Sequence, residues 1–230
     1  IPRIRHRRGR RQQSCAARFV GFHTIAGRCT THRYPSCMRR IKIIVITADK
    51  PLEHEAEAIS RILDSGVAYR VHIRKPAYSE PDTRALLDSI PSRLWPKLSL
   101  HDHHALAPEY GTGIHLNSRN PQAPAGFAGT VSRSCHSLEE SRGAADYVFI
   151  SPVFDSISKA GYTAAFSLDE LRGKVDSRCI ALGGVEPCRL SQVADAGFGG
   201  AALLGYIWRD FSISELDKRI NTLKTICSSL

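Results

Sequence analysis

A loop with the sequence SPVFDSISK follows a buried run of the chain and carries Ser156, Ser158 and Lys159. Short hydroxyls and an amine at the end of a strand suit the anionic oxygens of a phosphate group. Two later glycine-bearing runs, ALGGV (181–185) and ALLGY (202–206), let backbone N–H groups approach a second phosphate. We therefore predict an enzyme that handles phosphorylated small molecules. An ordinary polar loop is the alternative interpretation of SISK taken alone.

The elements that must position these groups alternate along the chain from residue 41. Predicted strands span 41–47, 68–74, 97–102, 112–117, 129–135, 147–154, 179–185 and 200–206. Predicted helices span 54–66, 79–90, 137–145, 167–175, 186–197 and 212–226. This alternation is typical of parallel strands joined by crossover helices, and eight units predict a small α/β TIM barrel, (β/α)₈, with some short or missing helices. A doubly wound open sheet is the alternative, but no glycine fingerprint follows the first strand.

In such a barrel, functional side chains gather at the carboxyl ends of the strands. The candidates found there are His72, Arg74, Lys75, His101, Asp102, His115, Asn117, Asn120, Ser134, His136, Ser156, Ser158, Lys159, Gly183, Gly184, Leu204 and Gly205. Cations and neutral polar groups around one carboxylate favour a polyanionic substrate with a divalent ion. The set lacks the paired carboxylates of glycoside hydrolysis and has no nucleophile elbow.

Several of these residues have a second interpretation. Asp102 either holds a metal or caps the next turn, and His136 is either an acid–base group or a structural histidine. The run HDHH (101–104) resembles a metal site, but adjacent side chains on a strand end point in opposite directions, which argues against three-histidine zinc ligation.

Positive charge is concentrated at the amino end. Residues 1–40 contain eleven arginines and no acidic residue, which leaves 21 of the 32 basic side chains and all 22 acidic ones for the rest, a net charge of −1. Because residues 41–230 are nearly neutral, the positive net charge of the whole chain does not indicate that the barrel binds nucleic acid. We therefore predict no nucleic-acid partner. We interpret 1–37 as a disordered extension translated upstream of Met38, and 38–230 as the catalytic domain. An organelle transit peptide and a basic nucleic-acid-binding arm are the alternatives.

The cysteines indicate the cellular compartment of the protein. The seven cysteines include no CxxC pair, and we find neither a secretory segment nor an apolar run long enough to cross a membrane. These features predict reduced thiols in a cytoplasmic protein without membrane attachment.

The motifs of the chain, in order, resemble those of one family. They are HIRK (72–75), LHD (100–102), GIHL (113–116), SCHS (134–137), DYVFISPVFDSISK (146–159), ALGGV (181–185) and GGAALLG (199–205). In order and spacing they resemble the thiamine phosphate synthase and thiazole tautomerase family of small (β/α)₈ barrels. The resemblance covers most of the chain between Lys42 and Trp208.

The resemblance implies a reaction and a set of roles. Synthases of the family join a hydroxymethylpyrimidine pyrophosphate to a thiazole phosphate, with Mg²⁺ on the departing pyrophosphate. The resemblance places Mg²⁺ on Asp102, pyrophosphate on Arg74 and Lys159, and Ser134 beside the pyrimidine and pyrophosphate. The thiazole phosphate would be bound by Ser156, Ser158, Gly184 and Gly205. Small-molecule substrates and a homodimer are implied as well.

This chain departs from the family pattern at four positions, and Ser156 and Ser158 stand in the phosphate loop for a pair of threonines, which is a mild change. His72 stands for a glutamine, His101 for an asparagine, and Asn120 for a second aspartate near the metal. Pro76 stands for a lysine, for which Lys75 is a candidate replacement.

We keep three hypotheses. A synthase is favoured because Asp102, Arg74 and Lys159 remain. A thiazole tautomerase is the second, because that branch tolerates these losses and uses a histidine at the position of His136 as its acid–base group. The third is a barrel that binds thiazole phosphate without catalysis.

Overall fold

A computed structural model describes residues 41–154 and 167–230 of the chain. Its strands pair in parallel, each with the next, and the last pairs with the first, so the sheet closes into a barrel. The strands are β1 (Lys42–Ile46), β2 (Arg70–Ile73), β3 (Leu98–Leu100), β4 (Gly113–Leu116), β5 (Val131–Cys135), β6 (Tyr147–Ile150), β7 (Cys179–Ala181) and β8 (Gly200–Leu203). The predicted (β/α)₈ barrel is confirmed.

Helices of very different length follow the strands in this part of the chain. The α-helices are α1 (Glu55–Asp64), α2 (Glu80–Asp88), α3 (Ala107–Tyr110), α4 (Leu168–Leu171), α5 (Leu190–Ala196), α6 (Gly205–Trp208) and α7 (Ile213–Ser228). The 3₁₀ helices are Ser92–Lys97, His104–Leu106, Glu140–Arg142 and Pro187–Arg189. Several connections are a single turn, as the shortness of the chain predicts.

Alternation of side chains along the strands divides the apolar residues into two layers. In β1, Ile44 and Ile46 pack inside the barrel in a small cluster with Phe149. Ile43 and Val45 point the other way and join the large cluster between the strands and the helices. Both faces of most strands are therefore buried, which explains their nearly continuous apolar runs in the sequence.

Serine caps explain where two helices begin. The Ser79 side chain accepts a hydrogen bond from the Asp82 N–H, and the Asp82 carboxylate accepts one from the Ser79 N–H. Ser167 and Glu170 form the same reciprocal pair at α4. These pairs satisfy N–H groups that the first helical turn leaves free.

The helix predicted at 137–145 is wrong. Ser137 does accept a hydrogen bond from the Glu140 N–H, but the Glu140 carboxylate accepts from the His136 N–H instead of returning to Ser137. Only the 3₁₀ turn Glu140–Arg142 forms, and Gly143 follows it in an extended conformation. A capping pattern next to a glycine therefore produced a turn rather than a helix.

The predicted boundaries need three smaller corrections. The strand predicted at 147–154 ends at Ile150, and the helix predicted at 186–197 starts as a 3₁₀ turn before α5. Helix α6 lies partly in the run predicted as the end of the last strand. Its Trp208 donates an indole hydrogen bond to the Ile46 carbonyl (2.7 Å), which fixes this turn to the end of β1.

None of the helices within residues 41–154 and 167–230 has the length and apolar character needed to cross a membrane.

Packing inside the barrel leads to a stability prediction at Gly113. A Cβ atom there would lie 2.8 Å from Ser99 Oγ and 2.9 Å from the Thr130 carbonyl oxygen. It would also lie 3.0 Å from the Arg70 guanidinium. We expect Gly113→Ala to lower the free energy of unfolding, measured by urea denaturation, by about 1–3 kcal/mol through overpacking. Gly205→Ala, where a Cβ meets nothing within 4 Å, is the matched control and should change it by less than about 0.5 kcal/mol. Equal effects of the two substitutions would contradict this packing.

Candidate active site

Polar side chains lie inside the barrel in contact with the apolar cluster around Phe149, whose ring centroid lies 4.9 Å from that of His72 and 4.8 Å from that of His115. These buried residues are Arg70, His72, Ser99, His101, His115, Ser132 and Tyr147. The buried Arg70 guanidinium donates hydrogen bonds to the Leu98 carbonyl (2.7 Å) and to Thr130 Oγ1 (3.2 Å). Its Nε–H has no hydrogen-bond partner among the described residues, so the interior satisfies this side chain only in part.

Three histidines lie above this arginine in two hydrogen-bonded groups whose rings are in contact. His72 Nδ1 lies 2.9 Å from His101 Nε2, and His72 Nε2 lies 2.7 Å from the Tyr147 hydroxyl. His115 Nε2 lies 2.9 Å from Ser134 Oγ, while its Nδ1 lies 2.9 Å from Ser132 Oγ. His115 therefore links a residue at the rim, Ser134, to the barrel interior.

The tautomer of His115 follows from its neighbours. The Ser132 hydroxyl donates to the Ile114 carbonyl (3.2 Å), so its oxygen accepts a proton from His115 Nδ1–H. Nε2 is then free to accept from the Ser134 hydroxyl (2.9 Å). Ser134 is thereby oriented with its proton towards the barrel interior and its lone pairs away from His115.

The three histidines lie close enough together to be considered as metal ligands. One nitrogen from each ring of His72, His101 and His115 lies within 4.8 Å of the others, and no other group of three potential ligands is found among residues 41–154 and 167–230. The His101 and His115 rings, however, are stacked, with centroids 4.1 Å apart and an interplanar angle of 21°. Imidazole lone pairs lie in the ring plane, so these two run side by side and do not converge on a tetrahedral ion. In this arrangement the three rings are held by hydrogen bonds instead.

Burial keeps all three imidazoles neutral. Desolvation lowers the pKa of His115 to about 3 and holds the pKa values of His72 and His101 well below the usual range. For His101, the neighbouring histidines and the positive charges of Arg74 and Arg119 act in the same direction.

The loop after β4 is folded back onto the end of β3 by two asparagines. Asn117 Oδ1 accepts hydrogen bonds from the backbone N–H groups of Arg119 (2.9 Å) and Asn120 (3.1 Å). The side-chain amides of Asn117 and Asn120 both donate to the His101 carbonyl, at 2.7 and 3.0 Å. This turn places Arg119 and Asn120 directly beside Asp102.

Asp102 is occupied by hydrogen-bond donors from that loop. Arg119 Nε and Nη2 lie 3.1 and 3.0 Å from Asp102 Oδ1, and Nη2 lies 3.1 Å from Oδ2. Asn120 Nδ2 also donates to Oδ1, at 3.0 Å. The carboxylate predicted as a metal ligand is thus paired with a guanidinium. Sequence reasoning missed Arg119, for which the only signal was a basic residue next to Asn120 in a loop after a strand.

Arg74 lies at the rim, half-buried, immediately after β2. Its backbone is anchored to Thr47, whose hydroxyl accepts from the Arg74 N–H (2.9 Å). No carboxylate of the described residues lies within 4.0 Å of its guanidinium. A half-buried arginine without a partner of this kind suits an anion, as the sequence predicts.

The arrangement does not bring Lys75 to the substrate end. Its amine is 2% exposed, lies 2.6 Å from Glu55 Oε1 and donates to the Lys50 carbonyl (2.7 Å). Glu55 belongs to α1, outside the barrel, and burial raises its pKa despite the opposing ammonium. We therefore drop Lys75 as a replacement for the lysine missing at Pro76, because its charge is already used in this buried pair.

The other predicted site residues are distributed as follows. His72 is fully buried beneath His101 and so acts only by positioning its neighbours. His136 is exposed, and its described hydrogen bond is a backbone one to Glu140. Ser156, Ser158 and Lys159 lie outside the described residues.

The glycine loops after β7 and β8 lie at the same end of the barrel. Gly183 has φ 95°, and a Cβ there would come within 2.8 Å of the Pro152 backbone, so this loop packs closely against the segment after β6. Gly184 also has positive φ, 61°, and Gly205 is the first residue of α6, directly after Leu204. No described residue accepts a hydrogen bond from the N–H groups of Gly184 and Gly205.

Neutral buried histidines predict a specific pH dependence of stability. Between pH 6.5 and the lowered folded pKa values, the unfolded chain binds protons that the folded chain excludes, so stability falls as pH falls. Each of the three histidines should cost about 1.4 kcal/mol at one pH unit below 6.5. We expect His72→Gln to reduce the loss between pH 7.5 and 5.5, measured by urea denaturation, by about that amount. The exposed His54→Gln is the control, and an identical pH profile for both variants would contradict a buried neutral His72.

Comparison with known proteins gives the family. The family model described as thiamine monophosphate synthase matches residues 43–207. A thiamine-phosphate synthase of Listeria monocytogenes serotype 4b (strain F2365) is 30% identical over 125 residues, which cover 48% of this chain and 58% of the relative. One from Listeria innocua serovar 6a is 28% identical over 136 residues, covering 53% and 64%. The matched part thus spans less than two thirds of the length of these relatives.

Solved structures agree. The crystal structure of thiamine phosphate pyrophosphorylase from Bacteroides thetaiotaomicron superposes with a TM-score of 0.72 at 33% identity, covering 82% of this chain and 98% of that one. Thiamine phosphate pyrophosphorylase from Pyrococcus furiosus has a TM-score of 0.66 at 20% identity, covering 84% and 98%, which supports the fold alone. With a barrel of this topology and a family match over most of its length, the chain belongs to the thiamine monophosphate synthase family.

Proposed function

We propose that this protein is a thiamine phosphate synthase, a transferase of thiamine biosynthesis. It would join hydroxymethylpyrimidine pyrophosphate to thiazole phosphate and release pyrophosphate. The family match supports the class of reaction, and similar proteins carry the corresponding name.

The observation that carries the proposal is the position of Arg74. This residue is half-buried and follows β2 directly at the carboxyl end of the barrel, and no carboxylate of the described residues pairs with its guanidinium. In the proposed reaction the bond between the pyrimidine methylene carbon and the pyrophosphate oxygen breaks, and negative charge develops on the leaving group. A fixed cation in a partly desolvated place stabilises that charge more than water does. The thiazole nitrogen then attacks the methylene carbon, so no general base is required.

Other residues are assigned to the two substrates. Ser134, held by His115, would bind at the junction of pyrimidine and pyrophosphate, and Lys159 would add a second cation. The thiazole phosphate would take the free N–H groups of Gly184 and Gly205 and the hydroxyls of Ser156 and Ser158. Gly183 and Leu204 would shape these loops, and His101 and Asn120 the pyrimidine side.

Binding of Mg²⁺ stays a prediction of the resemblance, and the side chains around Asp102 are not suited to ligate this ion. Both Asp102 oxygens accept hydrogen bonds from Arg119. Asn120, which stands where a second carboxylate is implied, turns its N–H₂ group towards Asp102 and not its oxygen. A magnesium ion needs oxygen ligands in an octahedral arrangement and is repelled by a guanidinium. We therefore assign no step of the reaction to a metal.

Removal of Arg74 tests the synthase directly. With pyrimidine pyrophosphate and thiazole phosphate supplied to the full chain, we expect thiamine phosphate to form. Arg74→Ala should lower kcat/KM by about 100-fold or more through the loss of leaving-group stabilisation. Arg93→Ala, an exposed arginine paired with Asp64 (2.7 Å), is the matched control and should keep full activity. Undiminished coupling by Arg74→Ala would show that the leaving group is bound elsewhere.

A thiazole tautomerase is the second candidate, because the pairing of Asp102 with Arg119 favours a reaction without a metal. In that case His136 moves a proton on a thiazole carboxylate phosphate. His136→Ala would then abolish turnover of that substrate. Under the synthase proposal His136→Ala instead keeps thiamine phosphate formation within about threefold, since no proton transfer is needed. Phosphate binding without turnover of either substrate by the unaltered protein would leave only the non-catalytic barrel.

Cytoplasmic location, a homodimer and the absence of nucleic-acid and membrane partners stay predictions of the sequence.

A further inference from the structure

Arg119 has the properties of a built cation and not of an incidental surface arginine. Its backbone N–H is fixed by Asn117 Oδ1 (2.9 Å), and Asn117 is itself bonded to the His101 carbonyl (2.7 Å). Its side chain is fixed by Asp102 through Nε and Nη2. Main chain and side chain are thus both held against the end of β3.

The part of the guanidinium that faces away from Asp102 remains available. Nε and Nη2 are used by the carboxylate, whereas Nη1 donates to no side chain or carbonyl in the described ranges. The side chain is 46% exposed, and that of Asp102 is 17% exposed. A guanidinium has five N–H donors in a rigid plane, so an arginine held at one edge can bind phosphate oxygens with the other.

The net charge around Asp102 explains why an arginine is stable at position 119. One carboxylate and one guanidinium are together neutral, as are two carboxylates with a divalent ion. Replacement of the implied second carboxylate by Asn120 removes one negative charge, and Arg119 supplies one positive charge at the neighbouring position. Asn120 and Arg119 together therefore keep the local charge of that arrangement, with N–H donors in the place of a metal.

We propose that Arg119, oriented by Asp102 and Asn120, binds the substrate pyrophosphate together with Arg74, so that this enzyme holds its diphosphate without a divalent cation. Arg74 follows β2 directly, and Arg119 is paired with Asp102 just beyond the end of the neighbouring strand β3, so both lie at the carboxyl rim of the barrel. Asp102 is then a positioning residue and not a metal ligand. The inference rests on the proposed function for the identity of the diphosphate.

Binding of inorganic pyrophosphate to the full chain, measured by isothermal titration calorimetry in EDTA and in Mg²⁺, tests this. We expect wild-type protein to bind in EDTA, and Arg119→Ala to weaken that binding by at least about tenfold, the effect of losing a charge-assisted contact. Arg93→Ala, again an exposed arginine in a single ion pair, is the matched control and should bind as wild type does.

A second variant reverses the substitution. Asn120→Asp should weaken pyrophosphate binding in EDTA at least threefold, because a second carboxylate competes for Arg119, and Mg²⁺ should restore it. Wild-type binding that requires Mg²⁺ and is unaffected by Arg119→Ala would overturn the inference while leaving the synthase proposal intact. Metal-free binding that depends on Arg119 in a protein without coupling activity would instead remove the synthase proposal and keep the anion site. Absence of binding under both conditions would overturn the inference and the pyrophosphate role of Arg74 together.

Discussion

Exclusion of water from the closed barrel is the constraint on which the rest of this structure depends. Inside it, an imidazole is stable only when neutral, and His72, His101 and His115 are held so by desolvation. The Arg70 guanidinium inside it donates to the Leu98 carbonyl and the Thr130 hydroxyl, while its Nε–H has no hydrogen-bond partner among the described residues. Charges that must meet a charged ligand are therefore confined to the rim, where Arg74, Asp102 and Arg119 lie.

The interior and the rim of the barrel therefore have different roles in the proposed site. The interior supplies orientation: His115 fixes the Ser134 hydroxyl, and the His101 carbonyl anchors the loop that carries Arg119. The rim supplies charge, as the ionisation of a diphosphate ester requires. A reaction driven by leaving-group stabilisation needs cations and no strong base, and it is compatible with a neutral interior.

Most of the fold could be predicted from the sequence, because its local hydrophobic patterns match the burial of the same residues in the barrel. All eight strands lie within their predicted ranges, and most of them follow apolar runs because both of their faces are buried. The predicted helix at 137–145 does not form, because Gly143 is extended and ends the turn after Arg142. A capping pattern indicates where a helix can start but not whether it continues. Lys75 failed for a different reason: its partner Glu55 is 20 residues away, on a helix outside the barrel.

The pairing of Asp102 with Arg119 was likewise beyond the sequence. It depends on an asparagine-directed turn, in which Asn117 folds the loop back over β3, and no spacing rule specifies where such a turn points. Likewise, His72 and His101 were read as ligand groups at strand ends, whereas the pleat turns them inward to bond each other. Residue type and strand position were predictable, but the partner of each side chain was not.

The central claim is that guanidinium groups at the carboxyl rim of the barrel bind the diphosphate. A crystal structure of the full chain with inorganic pyrophosphate, grown in EDTA, examines it most directly. We expect pyrophosphate oxygens within hydrogen-bond distance of Arg74 and of Arg119 Nη1, with Arg119 still paired to Asp102. Pyrophosphate bound away from both arginines, or Arg119 turned out into solvent beside an ordered ligand, would contradict it.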